Sequence, residues 1–159
     1  MTENAAASAL ATLQARVGQE VHVSDWMTIT QERINAFADA TGDHQWIHVD
    51  VDRATRESPY GAPIAHGYLT LSLCVPLRGL VDVTKPIAPG VTNVINYGLN
   101  KLRFPSAVRA GSRIRGKFTL QAVEQVAPNV LQITEQYTAE IEGAAKPACI
   151  AESVMRLVF

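Results

Sequence analysis

The chain has 159 residues, enough for one ordinary domain with a real core, and 47% of them are apolar. A formal net charge of −1 argues against nucleic acid as a partner, because neutralising phosphates requires clustered basic residues. No stretch approaches the roughly 20 uninterrupted apolar residues of a membrane span, and the start, Met-Thr-Glu-Asn, lacks the basic and apolar regions of a secretory signal. A cytoplasmic protein is expected.

Residues 4–16 are Ala-rich and predict a helix docked on the surface, with Asn4 as its N-cap. Residues 20–24 alternate weakly, as a short strand would. Thr30 can cap a helix with Ile34, Phe37 and Ala38 on one face, and Gly42 supplies the stop. The segment from Asp43 to His48 therefore reads as a loop leaving a fixed helix end. A helical turn over 52–57 and a turn-rich, extended stretch over 58–63 follow. From His66 to about Leu80 the chain is apolar on nearly every face, which predicts a buried helix whose last turns Pro76 disturbs.

The texture then changes. Residues 94–104, 112–124, 130–141 and 148–158 read as strands, with plain alternation at Ile114, Gly116, Phe118 and Leu120 and again at Leu131, Ile133, Glu135 and Tyr137. Pro105, Gly111, Pro128-Asn129 and Gly143 punctuate them at hairpin-like intervals. One buried helix followed by a long antiparallel meander is an α+β pattern, a curved sheet wrapped around a central helix. The Arg and Lys residues between Lys101 and Lys117 read as scattered strand charges, with a phosphorylated small molecule as the alternative. The two cysteines, Cys74 and Cys149, lie far apart in apolar contexts and read as buried thiols rather than a disulfide or metal motif.

The chemistry concentrates in Gly42-Asp43-His44-Gln45-Trp46-Ile47-His48 and in Ile64-Ala65-His66-Gly67. A loop can fold Asp43 and His48 onto one spot as a general acid–base pair, and imidazole gives and takes protons near neutrality. The plainer alternative is that Asp43 caps the next turn while His48 sits half-buried. Gln45 can orient a water or substrate through its amide, and Trp46 reads as an anchor for the loop. Gly67, at the start of an apolar helix, can offer its N–H to a developing oxyanion, or can merely permit close packing. Ser72 can line the pocket or bond back to its own helix. His44, His48, Asp43, Asp50 and His66 offer metal ligands, but their spacing matches no zinc signature. With no Gly-rich phosphate loop either, no metal and no cofactor are expected.

At these residues the chain resembles the MaoC-like dehydratase family, the hydratase 2 group of (R)-specific enoyl-CoA hydratases. The resemblance is strongest in Phe37-Ala38-Asp39-Ala40-Thr41-Gly42-Asp43, at His48 and in Pro63-Ile64-Ala65-His66-Gly67. Ile95-Asn96-Tyr97-Gly98-Leu99-Asn100-Lys101 and Lys146-Pro147-Ala148-Cys149 extend it to the family's small single-domain actinobacterial members. It implies a hot-dog domain over 18–159 behind a helical extension over 1–17, and a homodimer. It also implies Asp43 and His48 as catalytic pair, with Gln45, Gly67 and Ser72 contacting an acyl-CoA substrate. Gln45 stands where many members carry an Asn that helps hold the water, and Trp46 where they carry Pro. The implied reaction adds water across a trans-2-enoyl thioester to give the (R)-3-hydroxyacyl product. Two other functions stay open: an acyl-CoA thioesterase using a carboxylate and water, and a non-catalytic binder of acyl thioesters.

Overall fold

The computed structural model describes residues 2–159, with side chains from Ala5 onward. The first helix, α1 (Thr2–Gln14), already includes the backbone of Asn4, whose expected capping side chain lies outside the described residues. Ala6, Ala9 and Leu13 form one buried face of α1, so the helix belongs to the core and does not merely rest on it. The short strands β1 (Glu20–Val23) and β2 (Met27–Thr28) follow.

Helix α2 (Gln31–Thr41) ends where its sequence says it should. The Thr30 side chain accepts from the Arg33 N–H at 3.2 Å, and Gly42 turns left-handed at φ 81° while donating its N–H to the Ala38 carbonyl. Ile34 and Ala38 are buried. The expected loop then differs in one respect: its second half winds into a helical turn, α3 (Trp46–Val49), which carries His48. Asp50 caps the next helix, α4 (Val51–Glu57), by accepting from the Arg53 N–H at 3.0 Å.

The apolar segment beginning at His66 is two short helices, α5 (Gly67–Ser72) and α6 (Cys74–Leu77), meeting at Leu73. Pro76 explains the break, since it has no N–H for the Ser72 carbonyl four residues earlier. Nor is the segment buried on every face. Leu69, Leu73 and Leu77 are buried, Leu71, Cys74 and Val75 are half-buried, and Tyr68 is exposed. One side of the pair thus packs on the sheet while the other stays partly open.

Four long strands complete the chain: β3 (Asn93–Arg103), β4 (Arg113–Ala127), β5 (Val130–Ile141) and β6 (Cys149–Val158). The sheet order is β1-β4-β5-β6-β3, with β2 also on β4, and every pairing is antiparallel. Only β4, β5 and β6 form the expected meander; β3 pairs with β6 at the far edge. The link between β3 and β4 is held instead by the segment before α5. Ala65 donates to the Val108 carbonyl at 2.8 Å, and Ala110 donates to Pro63 at 2.9 Å. These bonds lead the chain away from β3 to the other side of the sheet.

One face of β4 and β5 carries the core. Phe118, Tyr137 and Ala139 lie beneath α5 and α6, while Leu120, Leu131 and Ile133 lie beneath α1. The basic strand residues pair with carboxylates across the sheet: Arg115 reaches Glu140 at 2.7 Å, Lys117 reaches Glu140 at 3.4 Å, and Arg113 pairs with Glu142. Cys149 is buried and Cys74 half-buried, both free. Burial pushes the Cys74 thiol up to about 11 and Cys149 up to about 12, so neither is a ready thiolate. Among the described residues, no helix is long and apolar enough to cross a membrane.

Candidate active site

Two segments distant in sequence meet at the entrance to α5. The left-handed turn at Gly42 sends Asp43 out of α2, and the Asp43 carboxylate accepts from the Gln45 N–H at 3.3 Å. Gln45 and Asp43 are both exposed, and the Gln45 carbonyl accepts from His48 N–H at 2.9 Å, closing the turn that becomes α3. His48 points inward and is only 6% exposed. Gln31, on the first turn of α2, donates its amide to the His48 carbonyl at 2.7 Å and so fixes α3 against α2. Trp46 is half-buried under the Arg53 guanidinium, 4.2 Å from the ring centre.

The second segment supplies His66, 3% exposed, and Gly67. A carboxylate oxygen of Asp43 and ring nitrogens of His48 and His66 lie within 4.8 Å of one another. The hydrogen bonds assign both tautomers. The His48 Nδ1 lies 2.7 Å from the Ile64 carbonyl, which can only accept, so Nδ1 carries the proton and Nε2 keeps its lone pair. The His66 Nε2 lies 3.0 Å from the Asp43 backbone carbonyl and is protonated for the same reason. Burial is the main force lowering the His48 pKa from its ordinary value, with His66 adding to it and the Ile64 carbonyl and Asp43 opposing it. A neutral imidazole that keeps one ring lone pair, in a cluster with a carboxylate, is equipped to take up and return a proton.

Gly67 begins α5, so its N–H falls outside the helix's own hydrogen bonds. A Cβ at this position would sit 3.0 Å from the Phe104 ring, which explains the glycine as a matter of space. Beside it opens a cavity of about 220 Å³ lined by Tyr60, Gly67, Thr70, Phe104 and Val108. Ser72 is not brought to this cluster. Its hydroxyl donates to the Tyr68 carbonyl of its own helix at 2.7 Å, and it lines a separate groove with Leu71, Val75 and Tyr97.

The other metal-ligand candidates also disperse: His44 engages Asp39 at 2.8 Å, and Asp50 caps α4. Within the remaining trio, the His48 and His66 rings stack at 3.8 Å with 24° between their planes. Stacked rings direct their in-plane lone pairs side by side instead of converging on one ion, so the arrangement suits proton transfer better than tetrahedral coordination. His66 and Gln31 are the residues that pattern reading missed. His66 stands out in the sequence as a ligand candidate and within the Ile64–Gly67 motif, without a role of its own, and Gln31 carries no local signal because its partner lies 17 residues on.

This is the architecture of the MaoC-like hydratases and dehydratases, a hot-dog fold. Residues 12–141 match the family model described as "MaoC like domain", and the chain belongs to that family. It is 52% identical over 149 residues to 3-hydroxyacyl-thioester dehydratase Z of Mycobacterium tuberculosis, covering 94% of this chain and 95% of that protein. It is 43% identical over 150 residues to Nodulation protein N of Rhizobium leguminosarum bv. viciae, covering 94% and 91%. Its fold matches the (R)-hydratase of A. caviae with a TM-score of 0.68 at 24% identity, covering 87% of this chain and 94% of that one.

Proposed function

We propose that the protein catalyses the (R)-specific, reversible hydration of trans-2-enoyl-CoA to (R)-3-hydroxyacyl-CoA, with Asp43 and His48 as its acid–base pair. The observation that carries this reading is the cluster itself: His48, whose Nδ1–H is tied to the Ile64 carbonyl, has a ring nitrogen within 4.8 Å of the Asp43 carboxylate and of His66, the residue before Gly67. The 52% identity to a protein named a 3-hydroxyacyl-thioester dehydratase agrees with it, since dehydration is the same reaction run backwards.

In the forward direction the pair withdraws a proton from water as its oxygen bonds to C3, and a proton is delivered to C2. The C2=C3 electron pair passes through the thioester carbonyl, and the Gly67 N–H holds the negative charge that gathers on its oxygen. Gln45, exposed beside Asp43, orients the water through its amide. Ser72 lies along the groove between α6 and β3, a contact for the substrate's distal part and not for the reacting carbons. No step calls on a metal or cofactor. The functional unit is a homodimer: β3 forms an outer edge of the sheet, and its Ile95, Tyr97 and Leu99 are exposed, an apolar edge of the kind that is paired or covered.

The test is the ultraviolet absorbance of the conjugated enoyl thioester when purified protein meets crotonyl-CoA and longer enoyl-CoAs. Absorbance should decay with the wild type. It should slow by roughly 10²–10⁴-fold in Asp43→Asn and in His48→Gln, with unchanged circular dichroism. Undiminished activity in both variants would refute the pair. Thiol release from saturated acyl-CoA would mark a thioesterase, and tight binding without turnover of any enoyl-CoA would mark a binder.

A further inference from the structure

The proposed pair leaves one group of the cluster without a task. His66 is buried, and its ring is enclosed between Phe37 of α2, at 4.9 Å, and His48, at 3.8 Å. Its Nε2–H donates across 23 residues to the backbone carbonyl of Asp43, and the same nitrogen lies 4.0 Å from the Asp43 carboxylate. Its Nδ1 is buried with no hydrogen-bond partner among the described residues. As N-cap of α5 it makes no side-chain capping bond. Packing alone would be served better by an apolar ring, and capping by a side chain that caps, because an unpaired buried acceptor is a penalty to the fold.

We propose that His66 is the positioning residue of the site, holding the Asp43 turn through its Nε2–H and covering one face of His48 with its ring. This inference rests on the acid–base reading of Asp43 and His48. The two halves of the role act on different partners. The hydrogen bond sets where the Asp43 backbone stands relative to α5, since the turn is exposed and its other bonds, Asp43 N–H to Thr41, His44 N–H to Gly42, Gln45 N–H to Asp43 and the His44 ring to Asp39, are all local. The stacked ring keeps water from one face of His48, whose other support is the Ile64 carbonyl. Two titratable side chains meet His48: His66, whose ring stacks on it, and Asp43, whose carboxylate shares the cluster. Gln31 of α2, bonded to the His48 carbonyl, brings no charge; Asp50 is turned to the Arg53 N–H and Asp39 is engaged by His44.

Two substitutions separate the halves. His66→Gln keeps an N–H donor for the Asp43 carbonyl and removes the ring; His66→Phe keeps the ring and removes the donor. The experiment records long-range ¹H–¹⁵N spectra of the histidine rings across pH, together with kcat and KM for crotonyl-CoA. In His66→Gln, His48 should titrate at a higher pH than in the wild type while kcat stays within about tenfold. In His66→Phe, which keeps the covering ring, His48 should titrate closer to the wild type than in His66→Gln, while kcat falls by on the order of 10²-fold, the scale of a misplaced reacting group. That crossed pattern is not produced by a merely structural role. Identical His48 titration in both variants, with rates that track only the folded fraction, would overturn the proposal. If the wild type turns over no enoyl thioester, the acid–base reading fails, and the spectra alone still decide whether His66 governs His48. If His66→Phe does not fold, His48 titration in His66→Gln decides.

Discussion

The two ends of the core face of the sheet are built from the same strands and do different things. Under α1, the face is Leu120, Leu131, Ile133 and Leu157 against Ala6, Ala9 and Leu13, all apolar and all buried. Under α5, the same strands carry Phe118, Tyr137 and Ala139, but the helix above is interrupted and the layer beyond it holds His48, His66 and an unpaired ring nitrogen. Between the two ends stands Glu135, 1% exposed, gripped by Arg78 through two bonds of 2.8 and 2.9 Å. The contrast separates stability from chemistry: the α1 end buries a cluster of apolar side chains alone, whereas the α5 end keeps polar groups where hydrocarbon would be easier to bury.

The boundary between the ends should be the costliest to break. Arg78→Met leaves the Glu135 carboxylate buried without its partner, which should lower stability by about 4 kcal/mol. Denaturant melts would check it, and a change below 1 kcal/mol would show that Glu135 takes a proton or finds water instead. The apolar end comes next. Leu131→Ala opens a cavity in a fully buried row and should cost about 3 kcal/mol. At temperatures where the variant stays folded, its kcat/KM for crotonyl-CoA should match the wild type; a large loss there would dissolve the separation between the two ends.

Much of this layout is legible in the sequence where the determinants are local. Thr30 and Gly42 bound α2 because a cap acts within one turn, and the alternation in β4 and β5 fixes which residues face the core. Legibility ends where a partner is remote. Nothing near β3 says that it pairs with β6 and not with β4, because that choice is made by the bonds of residues 104–112 to the segment before α5. Pro76 announces a disturbed helix, but the break falls at Leu73, since the missing N–H belongs to a carbonyl one turn back. Glu135 interrupts an apolar alternation for a partner 57 residues away, and His66 acts on Asp43 across 23. Asp43 and His48 stand out in sequence because both lie in one short loop; their support does not, because it comes from α2 and from the entrance to α5.

The pH dependence of kcat/KM for hydration of crotonyl-CoA tests the central claim most directly. His48 must be neutral to accept a proton, and its folded pKa lies below the ordinary imidazole value of 6.5. The unfolded chain therefore binds that proton first as pH falls, so stability declines in the same interval, and a melt at each pH separates this from catalysis. The account predicts a rate that is level near neutrality and falls on an acidic limb centred below pH 6.5, with the limb absent from the residual activity of His48→Gln. A limb centred above that value, or one that persists unchanged in His48→Gln, would contradict it.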